Sequence, residues 1–242
     1  MINKDLLTAL ASEYGVRVDE TAAEKLDIYA RLLVEWNNKM NLTAITAPED
    51  MVLKHFVDSL TALPLLPAHP FSLIDVGTGA GFPGIPLCVV RPDIRLTLLD
   101  SLNKRLLFLK EVCTALEIPA DLIHARAEEG GHRPDLREQF DIAAARAVAP
   151  LPVLTEYCLP FVRPGGQFLA MKGPEGRQEL RAAEQAIALL GGRTAAIEEV
   201  SLPLHPAPGQ EVSTRVLILI DKISSTSSRF PRPSAKIAKH PL

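Results

Sequence analysis

An acid followed by three glycines at alternate positions is the feature of this chain that bears most directly on chemistry. An apolar stretch ends in Asp75, and Gly77, Gly79 and Gly81 follow it. This order is typical of a buried strand, a tight turn that lets a ligand approach the backbone, and the start of a helix. The pattern predicts a nucleoside-type cofactor at the strand end, close to Gly77 and Gly79 and within hydrogen-bonding reach of Asp75.

The loop alone does not identify the cofactor, because the glycines of Gly79–Gly84 also satisfy the dinucleotide fingerprint. Asp100 lies 21 residues after the first of them, near the usual place of a ribose-binding acid. Two features favour S-adenosylmethionine over NAD. Asp75 would repel a pyrophosphate, whereas it suits the ammonium group of an amino-acid moiety. Pro83 and Pro86 remove N–H groups where a phosphate-binding helix needs donors.

Other candidate residues follow the second and third predicted strands, since ligands of open α/β sheets bind beyond the carboxyl ends of the strands. Asp100, followed by Ser101, ends the second strand, and its carboxylate would accept hydrogen bonds from ribose hydroxyls. The same carboxylate would also cap the next helix. After the third strand, the amide of Ala127 and the carboxylate of Glu128 would read an adenine edge, although Glu128 equally suits a surface loop.

Two cations follow the fourth and fifth predicted strands. Arg146 ends an alanine-rich apolar strand, and Lys172 ends the next one. Burying an unpaired arginine is costly, so Arg146 is expected to face a ligand. Both cations would suit guanine O6 or phosphate oxygens.

The residues that several nucleic-acid methyltransferases need are missing here. Methylation of cytosine C5 requires a cysteine nucleophile, usually beside proline, and no Pro-Cys pair occurs. A polar residue followed by Pro-Pro-aromatic, which holds exocyclic amino groups of adenine, is replaced by Arg146–Pro150. Guanine N7 loses no proton on methylation, so it needs alignment and exclusion of water but no general base. The sequence is compatible with an N7 target.

Short apolar strands alternate with helices from Ser72 onward, which predicts an α/β fold with a Rossmann-like sheet of seven mostly parallel strands. The last two strands, Glu198–Leu204 and Val212–Ile220, are joined through Pro206–Gly209. This link is too short for a parallel crossover, so the last strand is antiparallel, as in class I S-adenosylmethionine-dependent methyltransferases. The predicted parts are a helical extension over residues 1–65, a cofactor-binding domain over 66–223 and a basic tail over 224–242.

Composition narrows the class of protein. A hydrophobic content of 47% supplies a core, and a net charge of −3 is not that of a generic nucleic-acid binder. The three cysteines suit a reducing cytosol, and with the six histidines they form no recognisable metal set. No apolar run approaches membrane-spanning length, and the N-terminus is no signal peptide. We therefore expect a cytoplasmic protein with no metal and no membrane contact.

Several segments resemble the bacterial small-subunit ribosomal RNA methyltransferase G family, formerly called glucose-inhibited division protein B. Spread over nearly the whole chain, the matching segments are Trp36–Ile45, His55–Leu60, Asp75–Ile85, Leu98–Leu102, Lys104–Arg105, Arg146–Ala147 and the tail Arg229–Leu242. The first two have no reason to occur in an unrelated methyltransferase. The tail departs from the family in lacking its usual glycine spacing.

The resemblance implies S-adenosylmethionine-dependent methylation of N7 of a guanine in 16S ribosomal RNA, at position 527 in the 530 loop. The residues that it places at the cofactor are Gly77, Phe82, Asp100, Ala127, Glu128 and Arg146, the last also facing the target. The residues that it gives to RNA are Lys172, Arg229, Arg232, Lys236 and Lys239. The tail, which composition alone would leave disordered, is then expected to order on RNA. The partner would be 16S RNA or the small ribosomal subunit, and we expect the protein to be a monomer.

Two other functions stay open from the residues. A nicotinamide-dependent oxidoreductase is favoured by the overlap of the two glycine fingerprints, and it is opposed by Asp75, Pro83 and the lack of a substrate domain. A ribosome-binding protein that has lost catalysis is opposed by the intact glycine loop, Asp100 and Arg146. Cofactor binding separates the first from a methyltransferase, and methyl transfer separates the second.

Overall fold

The computed structural model describes residues 1–204 and 211–242, which form one mixed sheet between layers of helices. The strands are β1 Ser72–Val76, β2 Arg95–Asp100, β3 Ala120–His124, β4 Phe140–Arg146, β5 Val162–Lys172, β6 Gly192–Pro203 and β7 Val212–Lys222. The helices are α1 Lys4–Glu13, α2 Glu20–Asn37, α3 Pro48–Met51, α4 Asp58–Leu60, α5 Gly84–Val90, α6 Asn103–Ala115, α7 Ala127–Gly130, α8 Leu151–Cys158, α9 Gly176–Leu189 and α10 Ser234–Lys239. A π-helical segment, Val52–Val57, joins α3 to α4, and single 3₁₀ turns cover Leu63–Leu65 and Leu159–Phe161.

The strand order across the sheet is β3-β2-β1-β4-β5-β7-β6. The first five strands are parallel to one another, while β7 runs antiparallel to both of its neighbours, β5 and β6. The predicted fold class is confirmed, including the antiparallel last strand. The predicted link Pro206–Gly209 lies outside the described residues.

The centre of the sheet determines where a ligand can bind. Successive strands are added toward one edge of the sheet from β1 to β3 and toward the other edge from β4 to β6. The order therefore reverses between β1 and β4, which are parallel neighbours although two strands lie between them in sequence. The crevice beyond the carboxyl ends of strands at such a reversal is the usual ligand site of open α/β sheets. Leu73 and Ile74 of β1 are fully buried on opposite faces, as expected for a central strand covered by helices on both sides.

The N-terminal helices belong to the same core as one face of the sheet. Asp19 caps α2, its carboxylate accepting a hydrogen bond from the Ala22 amide at 2.8 Å. Leu26 and Leu33 of α2 are fully buried in the cluster that also contains Ile85 of α5. Packing therefore continues across the predicted boundary at residue 65, and the division of the chain into three parts remains a prediction.

The fifth strand is longer than predicted. The sequence Pro164-Gly165-Gly166 predicts a turn before a strand over 167–171, but β5 includes these residues and begins at Val162. Gly165 adopts a left-handed φ of +85°, and the pairing with β4 shifts register between Phe140 and Ile142, so the glycines form an irregularity within the strand. A Cβ on Gly166 would lie within 2.4 Å of the Asp141 carbonyl oxygen, which explains why glycine occupies this position.

The C-terminal tail is folded against α8 and the segment around Arg137. Composition alone predicts that the tail is disordered before RNA binds, and the structure differs from that prediction. Phe230 and Ile237 are buried. The Arg137 guanidinium donates hydrogen bonds to the carbonyl oxygens of Thr226, Ser227 and Phe230 at 2.7 to 3.1 Å. The apolar anchors and these backbone contacts supply the order that composition alone could not predict.

A buried ion pair completes the attachment of the tail. Glu156 of α8 is fully buried, and its carboxylate accepts hydrogen bonds from the Arg232 amide at 2.7 Å and from the guanidinium at 2.6 to 3.1 Å. A buried carboxylate requires such a partner because solvation no longer stabilises its charge. The structure therefore commits Arg232 to Glu156, whereas the sequence assigned it to RNA.

No helix among residues 1–204 and 211–242 combines the length and apolar composition that crossing a membrane would require.

Removing Arg232 should destabilise the protein, because Glu156 would keep a buried charge without a partner. We expect Arg232→Met to lower the free energy of unfolding by about 3 kcal/mol in urea titrations. Arg229→Met, three positions earlier on the exposed side of the tail, is the matched control and should change it by less than about 0.5 kcal/mol. Equal effects of the two substitutions would mean that the buried ion pair does not hold the tail.

Candidate active site

A cavity of about 280 Å³ opens beyond the carboxyl ends of the first four strands. It brings together five of the predicted cofactor residues, namely Gly77, Asp100, Ser101, Ala127 and Glu128. The rest of its lining includes side chains that the sequence analysis did not single out, among them Arg105, Arg126, Val148 and Tyr157. We refer to this space as the strand-end cavity.

The glycine loop is shaped as the sequence predicts. Gly77 and Gly79 have φ angles of +69° and +61°, in the left-handed region that favours glycine. A Cβ on Gly77 would lie 2.9 Å from a methyl group of Val148, so a side chain there would collide with the cavity wall. Beside Gly79 the nearest atom to such a Cβ is 4.0 Å away, which leaves the backbone open to a ligand.

Asp100 fixes the loop and the next helix at once. One carboxylate oxygen accepts a hydrogen bond from the Gly79 amide at 2.9 Å and another from the Arg105 guanidinium at 3.2 Å. The other oxygen accepts one from the Leu102 amide at 2.9 Å, at the start of α6. A carboxylate offers about four acceptor positions. Capping therefore leaves capacity for a ligand hydroxyl, and both predicted roles of Asp100 are compatible.

Asp75 lies fully buried at the end of β1, behind the glycine loop and outside the lining of the strand-end cavity. Its Oδ2 accepts hydrogen bonds from the Thr78 hydroxyl at 2.7 Å and the Gly84 amide at 2.9 Å. Its buried Oδ1 has no partner among the described residues. Burial raises the pKa of Asp75 to about 6, although these hydrogen bonds oppose the change. An acceptor without a donor fits a group that brings one, such as the ammonium of S-adenosylmethionine.

A second cavity, of about 340 Å³, adjoins the first, and Ala147 lines both. We call it the arginine cavity. It brings Arg146 and Lys172 together, as expected for cations on one rim of the sheet. Its other lining residues are Ile45, Lys54, His55, Asp58, Met171, Gly173, Glu179 and Arg215.

Arg146 is held by an acid from the N-terminal helices. Its Nη1 donates to Asp58 Oδ2 at 2.7 Å and to the Lys54 carbonyl oxygen at 3.0 Å. The other Asp58 oxygen accepts from Arg215 Nε at 3.0 Å. Asp58 therefore supplies the partner that burial of Arg146 requires, and the sequence argument missed it because 88 residues separate the two. Arg146 lines the arginine cavity and not the strand-end cavity, where the resemblance placed it.

Phe82 lies outside the lining of both cavities and joins the glycine loop to the N-terminal helices. Its ring stacks on His55 at a centroid distance of 4.3 Å and on Tyr29 at 5.2 Å, and the Arg146 guanidinium lies 5.0 Å from it. The Tyr29 hydroxyl donates a hydrogen bond to the Ala80 carbonyl oxygen within the loop. The place of Phe82 at the cofactor thus stays a prediction, while its contacts support the loop from behind.

His55 is unsuited to proton transfer at neutral pH. Burial and the positive charge of Arg146 lower the pKa of His55 to about 3, so its imidazole is neutral. One ring nitrogen lies 3.0 Å from the Thr43 hydroxyl, and the other lies 3.4 Å from Arg146 Nη2. The ring acts as a packing and hydrogen-bonding element beside Phe82.

The wall between the cavities is under backbone strain. Ala147 has a φ of +56°, which costs a residue with a side chain about 1 to 2 kcal/mol. Lys172 ties down the following turn, because its Nζ donates to the Ala149 carbonyl oxygen at 2.8 Å. Strain retained at a position shared by two cavities indicates that its geometry serves a site.

The remaining predicted RNA-binding cations, Arg229, Lys236 and Lys239, are exposed on the tail. Within the described ranges none of these three forms an ion pair, in contrast to Arg232. The same part of the chain holds no group of three or more His, Cys, Asp or Glu side chains placed to bind a metal.

Comparison with known proteins identifies a family. A family model described as rRNA small subunit methyltransferase G matches residues 22–205. The protein of that name from Acetivibrio thermocellus is 47% identical over 99% of this chain and 96% of its own length.

Solved structures support the fold at much lower identity. The branched-chain polyamine synthase from Thermus thermophilus, in complex with N4-aminopropylspermidine and 5'-methylthioadenosine, has a TM-score of 0.58 and 12% identity, over 82% of this chain and 64% of its own. A 16S rRNA (adenine(1408)-N(1))-methyltransferase from Catenulisporales acidiphilia has a TM-score of 0.50 and 15% identity, over 66% and 88%. Both likenesses support the α/β fold described above and nothing beyond it.

The raised pKa of Asp75 has a consequence for stability. The folded-state value of about 6 exceeds the usual 3.8, so the contribution to stability is present below pH 3.8 and is lost as the pH rises through 6. Asp75→Asn removes this titration. Relative to the native protein, the variant should gain about 2.4 kcal/mol in free energy of unfolding between pH 4 and pH 8, measured in urea without cofactor. A difference that is the same at both pH values would contradict the raised pKa.

Proposed function

The chain belongs to the rRNA small subunit methyltransferase G family, and from that premise we propose that it methylates N7 of a guanine in 16S ribosomal RNA, at position 527 in the 530 loop. The observation that carries the proposal is the pair of adjoining cavities that share Ala147. A methyl donor and an acceptor base must meet at a common wall for direct transfer. The two cavities provide that arrangement at the carboxyl edge of the sheet.

The strand-end cavity holds S-adenosylmethionine, which when bound supplies an electrophilic methyl group. Gly77 and Gly79 let the amino-acid part lie against the backbone, and Asp75 accepts from its ammonium group. Asp100 and Ser101 hold the ribose hydroxyls. The residues that read the adenine are Ala127 and Glu128. Five of these assignments rest on places in the cavity lining and on donor or acceptor character. Gly79 and Asp75 do not line the cavity, and their assignments rest on the open face of Gly79 and on the unpartnered Oδ1 of Asp75.

The arginine cavity holds the target guanine. Arg146 and Lys172 provide donors for O6, next to the reacting N7, and Ala147 separates this space from the strand-end cavity. Arg146 can orient a base because Asp58 and the Phe82 ring restrict its guanidinium. When the protein holds the base in position beside the methyl donor, the transfer no longer depends on a bimolecular encounter. We expect this positioning to be the main contribution of the protein to the rate of methyl transfer.

Transfer to N7 requires no general base, because a lone pair attacks and no proton leaves the ring. The histidine of the arginine cavity, His55, has a pKa lowered to about 3, which makes it a very weak base. A cavity whose histidine is not basic suits N7, which needs no base.

The RNA is held outside the base pocket by phosphate contacts. The exposed tail cations Arg229, Lys236 and Lys239 supply a positive surface for these contacts. Lys172 is buried and contributes its charge inside the arginine cavity. Arg232 serves this surface indirectly by fastening the tail to Glu156. We expect the protein to act as a monomer in the cytoplasm, where small ribosomal subunits are found.

Methyl transfer from labelled S-adenosylmethionine tests the proposal, with unmodified small subunits and naked 16S RNA as substrates and the modified base mapped. We expect 7-methylguanine in the 530 loop of at least one of them. Methyl transfer to another atom or another RNA would overturn the assignment. Cofactor binding without methyl transfer to either substrate would instead indicate a ribosome-binding protein that has lost catalysis.

Substitution of Gly79 by arginine should abolish cofactor binding, because its side chain would occupy the face of the loop that is open to the ligand. Binding is measured by calorimetry with S-adenosylmethionine, and RNA affinity should stay within about two-fold. Gly15→Arg is a matched control, since Gly15 also has a left-handed φ, of +72°, and open space around it, but lines neither of the two cavities. Normal cofactor affinity in Gly79→Arg would place the cofactor elsewhere.

Replacing the three exposed tail cations by glutamine should weaken RNA binding and reduce its salt dependence. Each lost phosphate contact lowers the slope of log affinity against log salt by about 0.7 to 0.9. The tail stays in place in this triple variant, because Arg232 and Phe230 are unchanged. An unaltered slope would show that the tail does not contact RNA.

The control for the tail variant removes the same charge elsewhere on the surface. Three exposed cations on other elements, replaced together by glutamine, are Arg17, Lys110 and Arg181. The long-range charge of the protein then changes equally in both variants. A slope reduced as much in the control as in the tail variant would indicate a general charge effect.

A further inference from the structure

Glu179 occupies an unusual position in the arginine cavity. It lies in the first turn of α9, about a quarter of its side chain is exposed, and it lines the cavity together with Lys172. Its Oε2 accepts a hydrogen bond from the Leu151 amide at 2.6 Å and forms an ion pair with Lys172 Nζ at 2.7 Å. These two donors fix the carboxylate in place. No donor among the described residues reaches Oε1, so this acceptor is available to a ligand.

The other acid of the cavity is fully engaged. Asp58 is buried, and its two oxygens accept from Arg146 and Arg215. It balances the charge of the two arginines and has little remaining capacity to accept hydrogen bonds from a base. Among the described residues, Glu179 is therefore the carboxylate of this cavity with an oxygen free for recognition.

The chemistry of guanine indicates what such an oxygen would bind. Guanine carries two adjacent donors, N1–H and the N2 amino group, on its Watson–Crick edge, on the opposite side of the base from N7. Adenine presents an acceptor at N1, which a carboxylate would repel. When N7 faces the shared wall, the two donors of guanine point into the arginine cavity, where the free oxygen of Glu179 would accept from them.

We propose that Glu179 selects guanine at the target position by accepting a hydrogen bond from the N1–H and N2 amino edge. This inference rests on the proposed function, since it assumes that the arginine cavity holds the base. Lys172 and the Leu151 amide hold the carboxylate, so that binding the base costs little further ordering. The cations of the cavity face O6, and Glu179 faces the edge that distinguishes guanine from other purines.

The test compares small subunits that carry guanosine or inosine at the target position, because inosine lacks only the N2 amino group. The ratio of kcat/KM for the two substrates is measured in the native protein, in Glu179→Gln and in Glu184→Gln. Glu184 lies on the same helix, is exposed, and serves as the matched control. We expect the native protein and the control to prefer guanosine at least ten-fold, and Glu179→Gln to lose that preference.

The outcomes separate the two levels of inference. If the native protein does not methylate N7 of the target guanosine, the proposed function fails. If it does but Glu179→Gln keeps the native ratio, or slows both substrates equally, Glu179 only positions Lys172 and the inference is overturned. Should Glu179→Gln fail to bind S-adenosylmethionine or to fold, Glu179→Asp replaces it, since it keeps the charge near Lys172 and withdraws the free oxygen. A lowered ratio then supports the proposal, and a native ratio overturns it.

Discussion

The ion pair between Arg146 and Asp58 is the contact on which the arrangement of the site depends. It joins the tip of β4 to the N-terminal helices, and Arg215 of β7 attaches to the same carboxylate. A pair this deeply buried contributes little net stability, but loss of one partner leaves the other charged and unsolvated. The pair therefore determines where the N-terminal helices lie on the sheet. The arginine cavity exists because they lie there.

A second set of contacts holds the glycine loop in the shape that a ligand needs. Asp100 binds the loop amide of Gly79, Asp75 binds the start of α5, and the Tyr29 hydroxyl binds the carbonyl oxygen of Ala80. Two of these supports come from strand ends and one from the N-terminal helices. Tyr29 and Phe82 thus support both the glycine loop and the guanidinium of Arg146. A substitution in the N-terminal helices can therefore alter the position of the loop without contacting a ligand.

Local patterns predicted most of the fold. Alternation of apolar strands and helices indicated the sheet, and short links indicated its antiparallel end, because both depend on residues close in sequence. The prediction failed where distant residues decide. Residues 164–166 lie within β5 because pairing with β4 occurs on both sides of them, at Val162 and again from Gln167. The tail is ordered because Arg137 and Glu156 bind it, and nothing in its own composition indicates those partners.

The sequence by itself determined the class of fold, the shape of the glycine loop and the acids at the strand ends, since each is a short pattern with a local physical cause. Tertiary structure alone decided the partners of the charged residues. Arg146 was expected to face a ligand because an unpaired buried charge is costly, yet the fold supplies Asp58 from 88 positions away. Arg232 was expected to contact RNA, whereas the fold pairs it with Glu156. Pairing of charges depends on distances in space, which a linear sequence does not contain.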